Sequence, residues 1–198
     1  SKVLGIVLTA RNNGGEKLEL AGFPHHSVDT YLPKLVRAGM RVAICEQLEA
    51  PCKGKKIVKR GVTELVTPGL SMSDKVLDHR ANNFLAVVHS DKKQSGVAFL
   101  DLSTGEFLIA QGSVSYLDKL LQSFSPAEVL YQRNKDVDFV NSYGDKFHTY
   151  CLEDWVFTRE FAEDILLKHF NTNSLKGFGI QEMHVAIIAA GGALHYLA

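Results

Sequence analysis

Short apolar runs separated by turn residues divide the chain into strands and helices. Gly5–Thr9, short and β-branched, predicts a strand, and the alternating stretch Lys17–Ala21 predicts a second. The cluster Asn12-Asn13-Gly14-Gly15 between them reads as a turn, and Gly22-Phe23-Pro24 ends the pattern. Val28, Tyr31, Leu32, Leu35 and Val36 recur at i, i+3, i+4, i+7 and i+8, which predicts a helix stopped at Gly39. Ser27 or Thr30 supplies the cap. Pro33 favours Thr30, because its missing N–H is harmless in a first turn. Arg41–Gln47 and Ile57–Thr67 read as strands around a loop at Lys53–Lys56, and Pro68-Gly69 suits a turn. Residues 70–80 read as a polar linker.

A second pattern follows. Phe84–His89, Gly96–Leu102 and Glu106–Gln111 are strand signals joined by short turns, hence an antiparallel meander. Val114, Leu117, Leu120, Leu121 and Phe124 mark a helix stopped by Pro126, and Ala127–Tyr131 reads as a buried strand. Residues 132–157 carry no clear period. Phe161, Ile165, Leu166 and Phe170 mark another helix, Asn171–Gly179 a loop, and residues 182–198 a helix apolar nearly all round and therefore buried. The order β-β-α-β-β, then β-β-β-α-β-α-α, predicts an α/β protein of two mixed modules, residues 1–78 and 79–198. The second is a mixed sheet flanked by helices, in the order of a ribonuclease-H-like fold.

Composition narrows the function classes. The 198 residues are 45% apolar and 22% charged, which is globular and neither disordered nor repetitive. No apolar run reaches the about 20 residues that span a bilayer, so no membrane partner is expected. Cys45, Cys52 and Cys151 form neither a disulfide framework nor a zinc motif, which points to a reducing compartment, the cytoplasm. Cys45 lies among alternating apolar positions and reads as a packing residue. The chain has no initiator Met and stops inside a helical pattern, as expected of a piece of a longer polypeptide. Its zero net charge hides an asymmetry: residues 1–78 carry 12 basic and 8 acidic side chains, residues 79–198 carry 10 and 14. Five of the basic residues fall between Lys53 and Arg60, a stretch able to pair with phosphates.

No phosphate-cradling glycine motif occurs, and His25-His26 reads as a turn pair rather than a metal site. One catalytic alternative remains, a metal-dependent ribonuclease-H-like nuclease with Asp101 as a ligand beside Glu106 or Glu128. Against it, Phe84–His89 carries no acid, and Asp101-Leu102-Ser103-Thr104-Gly105 reads as a hairpin end.

The residues also carry a family resemblance. Leu8-Thr9-Ala10-Arg11, Ala21–His26, Tyr31–Val36, Val42–Glu49, Val58-Lys59-Arg60 and Leu65–Gly69 closely resemble, in order, the bacterial mismatch-recognition ATPases of the MutS family. Asn82–Ala86, Ala98–Phe107, Pro126–Tyr131 and Gly177-Phe178-Gly179 resemble the connector domain of that family. The resemblance implies that residues 1–78 are the C-terminal part of the mismatch-recognition domain and residues 79–198 a noncatalytic connector. It places the family's Phe-x-Glu wedge upstream, and its ATPase, with ATP and Mg, outside this stretch, leaving no cofactor here. It implies mispaired double-stranded DNA and MutL as partners and a homodimer for the full-length protein. Arg60 is implied as a DNA-backbone contact, Arg11 as a weaker one, and Lys59 joins them by charge proximity.

Overall fold

The computed structural model describes residues 1–50, 57–70, 82–135, 139, 141, 143 and 146–197. The expected linker beyond Leu70, the module boundary at residue 78, the loop at Lys53–Lys56 and Cys52 lie outside the described residues. The chain divides into two compact units, one built on Ser1–Pro68 and the other on Leu77–Ala198 with Gly69 and Leu70.

The first unit holds two antiparallel ribbons and a helix. Strands β1 (Leu8–Asn13) and β2 (Glu16–Ala21) pair from Leu8↔Ala21 to Asn13↔Glu16. Their loop is Gly14-Gly15 alone, with φ of 63° and 108°. Only glycine adopts such a pair without strain, and that twist suits a two-residue hairpin. The strand therefore absorbs Asn12 and Asn13, expected in the turn. It also begins later than Gly5, whose φ of 65° is incompatible with a strand.

Helix α1 (Val28–Arg37) follows a 3-10 turn at His25–Ser27. Ser27, not the favoured Thr30, occupies the capping position, without a side-chain cap bond. The 3-10 turn opened by Pro24 already sets the helical path. Pro33 thus lies inside the helix and is buried, where its ring nitrogen cannot donate to the carbonyl of Asp29. The helix ends as expected: Gly39 N–H donates to Val36 O and Met40 N–H to Leu35 O, with Gly39 in the left-handed region.

Strands β3 (Val42–Gln47) and β4 (Arg60–Val66) pair antiparallel, with a register shift between Ile44 and Cys45. Val42 and Ile44 are half-buried on one face, as the alternation predicts, whereas Cys45 is exposed rather than packed. The bulge re-aims the strand at that residue.

The second unit is a five-stranded sheet in the order β7-β6-β5-β8-β9. Strands β5 (Phe84–Ser90), β6 (Ser95–Asp101) and β7 (Glu106–Gly112) form the antiparallel meander. Strand β8 (Glu128–Gln132) runs parallel to β5, and β9 (Thr149–Leu152) parallel to β8. This is the ribonuclease-H-like order anticipated from the pattern. Strand β9 lies in the stretch without a clear period, because four residues, three half-buried and one buried, give too short an alternation to read.

The sheet is buried on both faces. Phe84, Ala86 and Val88 of β5 pack with Leu117 and Leu121 of α2 (Val114–Phe124). Leu85 and Val87 pack on the opposite face, with Ala162 and Leu166 of α3 (Arg159–His169) and the apolar side of α4 (His184–Leu197). Helix α4 approaches so closely that a Cβ on Gly96 of β6 would lie 2.4 Å from the backbone N of Ala186. A Cβ on Gly191 would lie 2.4 Å from that of Ala162.

Candidate nucleic-acid interface

The three candidate cations all belong to the first unit, and all are exposed. Arg11 stands within β1, opposite Leu18 of β2. Arg60 opens β4 opposite Gln47, the last residue of β3. Lys59 extends that ribbon by one step: Leu48 N–H donates to Lys59 O at 2.9 Å, and Lys59 N–H donates to Glu49 Oε1 at 2.8 Å. Glu49 carries no motif in the sequence, yet its carboxylate accepts from Lys59 at the loop end of the ribbon. An acid just past the end of β3 is the only signal that marks it.

Lys59 and Arg60 thus stand at the end of the ribbon that is nearest in sequence to Lys53, Lys55 and Lys56. Successive residues of an extended ribbon point to opposite faces. A duplex lying on one face meets one of the two, whereas a phosphate backbone that embraces the ribbon end meets both. Arg11 is on a separate ribbon, and no ladder joins β1–β2 to β3–β4. Cations on two ribbons can contact a phosphate backbone at two places, which is positioning rather than base readout.

The catalytic alternative fails at Asp101. Its carboxylate is fully buried and is used up by the hairpin end. Ser103 donates to Oδ1 through its backbone N–H at 2.8 Å and its hydroxyl at 2.6 Å, and Asn83 N–H donates to Oδ2 at 3.1 Å. Burial alone would raise the pKa of Asp101, but these bonds and one from the Thr104 backbone outweigh it and hold the carboxyl below the ordinary value. Glu106 accepts from the Asn82 side chain, and Glu128 is committed to Gly69 N–H at 3.1 Å and Tyr196 OH at 2.8 Å. Among the described residues no group of three or more His, Cys, Asp or Glu could hold a metal. Likewise, no helix among them is long and apolar enough to cross a membrane.

The spelling Phe-x-Glu recurs at Phe161-Ala162-Glu163, but these residues form no wedge. Phe161 packs edge-on against Trp155 and His195, and Glu163 is paired with Arg159.

The profile of MutS domain I matches residues 1–75, and that of MutS domain II matches residues 83–198. The DNA mismatch repair protein MutS of Cytophaga hutchinsonii is 61% identical over all 198 residues. The proteins of the same name from Christiangramia forsetii and Bacteroides thetaiotaomicron are each 59% identical over the same span. The chain covers 100% of itself in each pairing but spans only 23% of the length of each relative. With both profiles matched in order and domain II alone covering more than half of the sequence, this chain belongs to the MutS family.

Proposed function

We propose that the chain serves DNA mismatch repair as the part of a longer MutS protein that grips the DNA backbone and relays its state. In this reading Arg60, Lys59 and Arg11 of the first unit neutralise phosphates of a mispaired duplex. A mispair is easier to kink than a matched pair, and cations that hold a bent backbone need no sequence information. The second unit connects that grip to distant domains and offers a surface to MutL. The chain itself catalyses nothing; ATP and Mg act elsewhere in the full-length protein, which works as a cytoplasmic homodimer.

The observation that carries this reading is the solvent-facing pair Lys59–Arg60 at the loop end of a ribbon, on the part of the chain with net positive charge. The test is a titration against matched and G·T duplexes at a series of salt concentrations. Equal affinity for the two duplexes is expected, since the chain supplies backbone contacts only. R60A, K59A and R11A should each flatten the plot of log affinity against log salt by about 0.9 per phosphate contact removed. Slopes untouched by all three variants would refute the assignment. For the second unit, labelled MutL mixed with the chain should associate, and failure to associate where the full-length protein does would remove the docking role.

A further inference from the structure

A cavity of about 320 Å³ lies in the second unit, beyond the carboxyl ends of β5 and β8. The backbone-gripping role leaves it unused. Its position follows from topology. The chain leaves β5 toward β6 on one side of the sheet and returns from β8 to β9 on the other. Where neighbouring parallel strands send their connections in opposite directions, a crevice opens at their carboxyl ends, and open α/β sheets bind ligands there. Its volume falls at the lower end of the about 300–1,000 Å³ typical of small-molecule sites.

The lining has two parts. Val88, Leu117, Leu121 and Phe139 make an apolar floor, all drawn from the core on that face of the sheet. Ser90, Ser95 and Lys135 supply the polar side. Ser95 is 3% exposed, and its hydroxyl oxygen accepts from the Ser90 hydroxyl at 2.7 Å. Its own hydroxyl hydrogen has no acceptor among the described residues. The Lys135 ammonium donates to the Ser90 carbonyl, leaving two of its three N–H groups for a ligand. Asp91 also lines the cavity, but its Oδ1 accepts from the Lys93 and Gln94 N–H groups, each at 2.7 Å, and serves the hairpin turn. Apart from the second oxygen of Asp91, the unspent groups beside the apolar floor are donors, one of them a cation. They call for a ligand that brings acceptor oxygens and negative charge on an apolar body.

We propose that this cavity binds a small organic acid, its flat or branched apolar part on Val88, Leu117, Leu121 and Phe139 and its carboxylate on Lys135 and Ser95. The site lies on residues other than those proposed to meet DNA.

The test uses 2-naphthoate as the probe and 2-naphthylmethylammonium as its cationic counterpart, with the 198-residue chain carrying labelled Val and Leu methyl groups. Naphthoate should shift the methyl resonances of Val88, Val114, Leu117 and Leu121 and leave distant ones in place. It should bind about tenfold or more tighter than the ammonium compound. K135M should abolish that preference. Val114 also lines the cavity and is 62% exposed, so V114R should block both probes at the mouth without disturbing the core. Equal affinity for the two probes, shifts centred elsewhere, a preference that survives K135M, or no shift at millimolar probe would each overturn the proposal.

Discussion

Acid should weaken the second unit through one histidine, in a pH window where its low-pKa aspartates are still silent. His89 lies near the carboxyl end of β5, its ring stacked on Phe157 with centroids 5.5 Å apart. Burial, and next the positive charge of Lys135, lower its pKa from 6.5 to about 4; Asp91 and Gln132 pull the other way, more weakly. The unfolded chain takes up the proton as pH falls through 6.5, but the folded chain refuses it until about 4. Between those values the unfolded state binds more protons, so stability declines as pH falls. The gap corresponds to about 3 kcal/mol, most of it lost by pH 4. The carboxyls of Asp91 and Asp101 are held below their ordinary value of 3.8, so the stability they contribute is lost only at lower pH. The assay is urea unfolding of the chain and of His89→Phe, which keeps a ring against Phe157, at steps from neutral pH down to 4. The wild type should lose about 3 kcal/mol more than the variant across the window. Removing the Lys135 charge in K135M should make the loss smaller. Parallel stability curves for wild type and H89F would refute the reasoning.

Three further outcomes follow from packing and hydrogen bonding. Gly96→Ala should destabilise the second unit by about 2–3 kcal/mol in chemical denaturation, because the added methyl meets the backbone of Val185 and Ala186, which cannot yield as a side chain can. Tyr196→Phe should cost about 1–3 kcal/mol in thermal unfolding, since it removes a donor from the buried carboxylate of Glu128. Asp101→Asn should cost a similar about 1–3 kcal/mol, because an amide accepts at only one of the two oxygen positions that Ser103 and Asn83 use. A calorimetric titration with Mn²⁺ should not distinguish D101N from the parent, whereas lost metal binding would revive the nuclease alternative.

Much of the second unit is legible in the sequence because β5 to β8 are each either apolar throughout or bounded by a marked turn. The Asp91–Gln94 turn, the Ser103–Gly105 hairpin end and Pro126 fix the registers, and the apolar run of α4 announces its burial. The errors have local causes. Glycine conformation moved both ends of β1: Gly5 with positive φ delayed its start, and two glycines sufficed for the loop. Pro33 misled the capping assignment, because a buried proline can be accepted inside a helix when packing fixes the path on either side. Cys45 was misjudged because a bulge leaves no trace in the spacing of apolar residues. The candidate interface was legible as charge but not as geometry. Five cations between Lys53 and Arg60 are visible in the sequence, whereas the ribbon that sets Lys59 back to back with Arg60, and the carboxylate of Glu49 that anchors it, emerge only from pairing. The cavity at the ends of β5 and β8 gives no motif at all. Its groups are up to 55 positions apart, from Val88 to Tyr143, and only the sheet order gathers them.

The glycines at the contacts of α4 decide how the second unit can carry a load. At Gly96 the helix rests backbone to backbone on the sheet, and at Gly191 it rests on α3 against nothing longer than the methyl of Ala162. Cushioned interfaces creep, because long side chains change rotamer and absorb displacement; bare contacts of this kind do not. A push on one end of α4 is therefore passed to β6 and α3 together, and the whole layered body behaves as a strut.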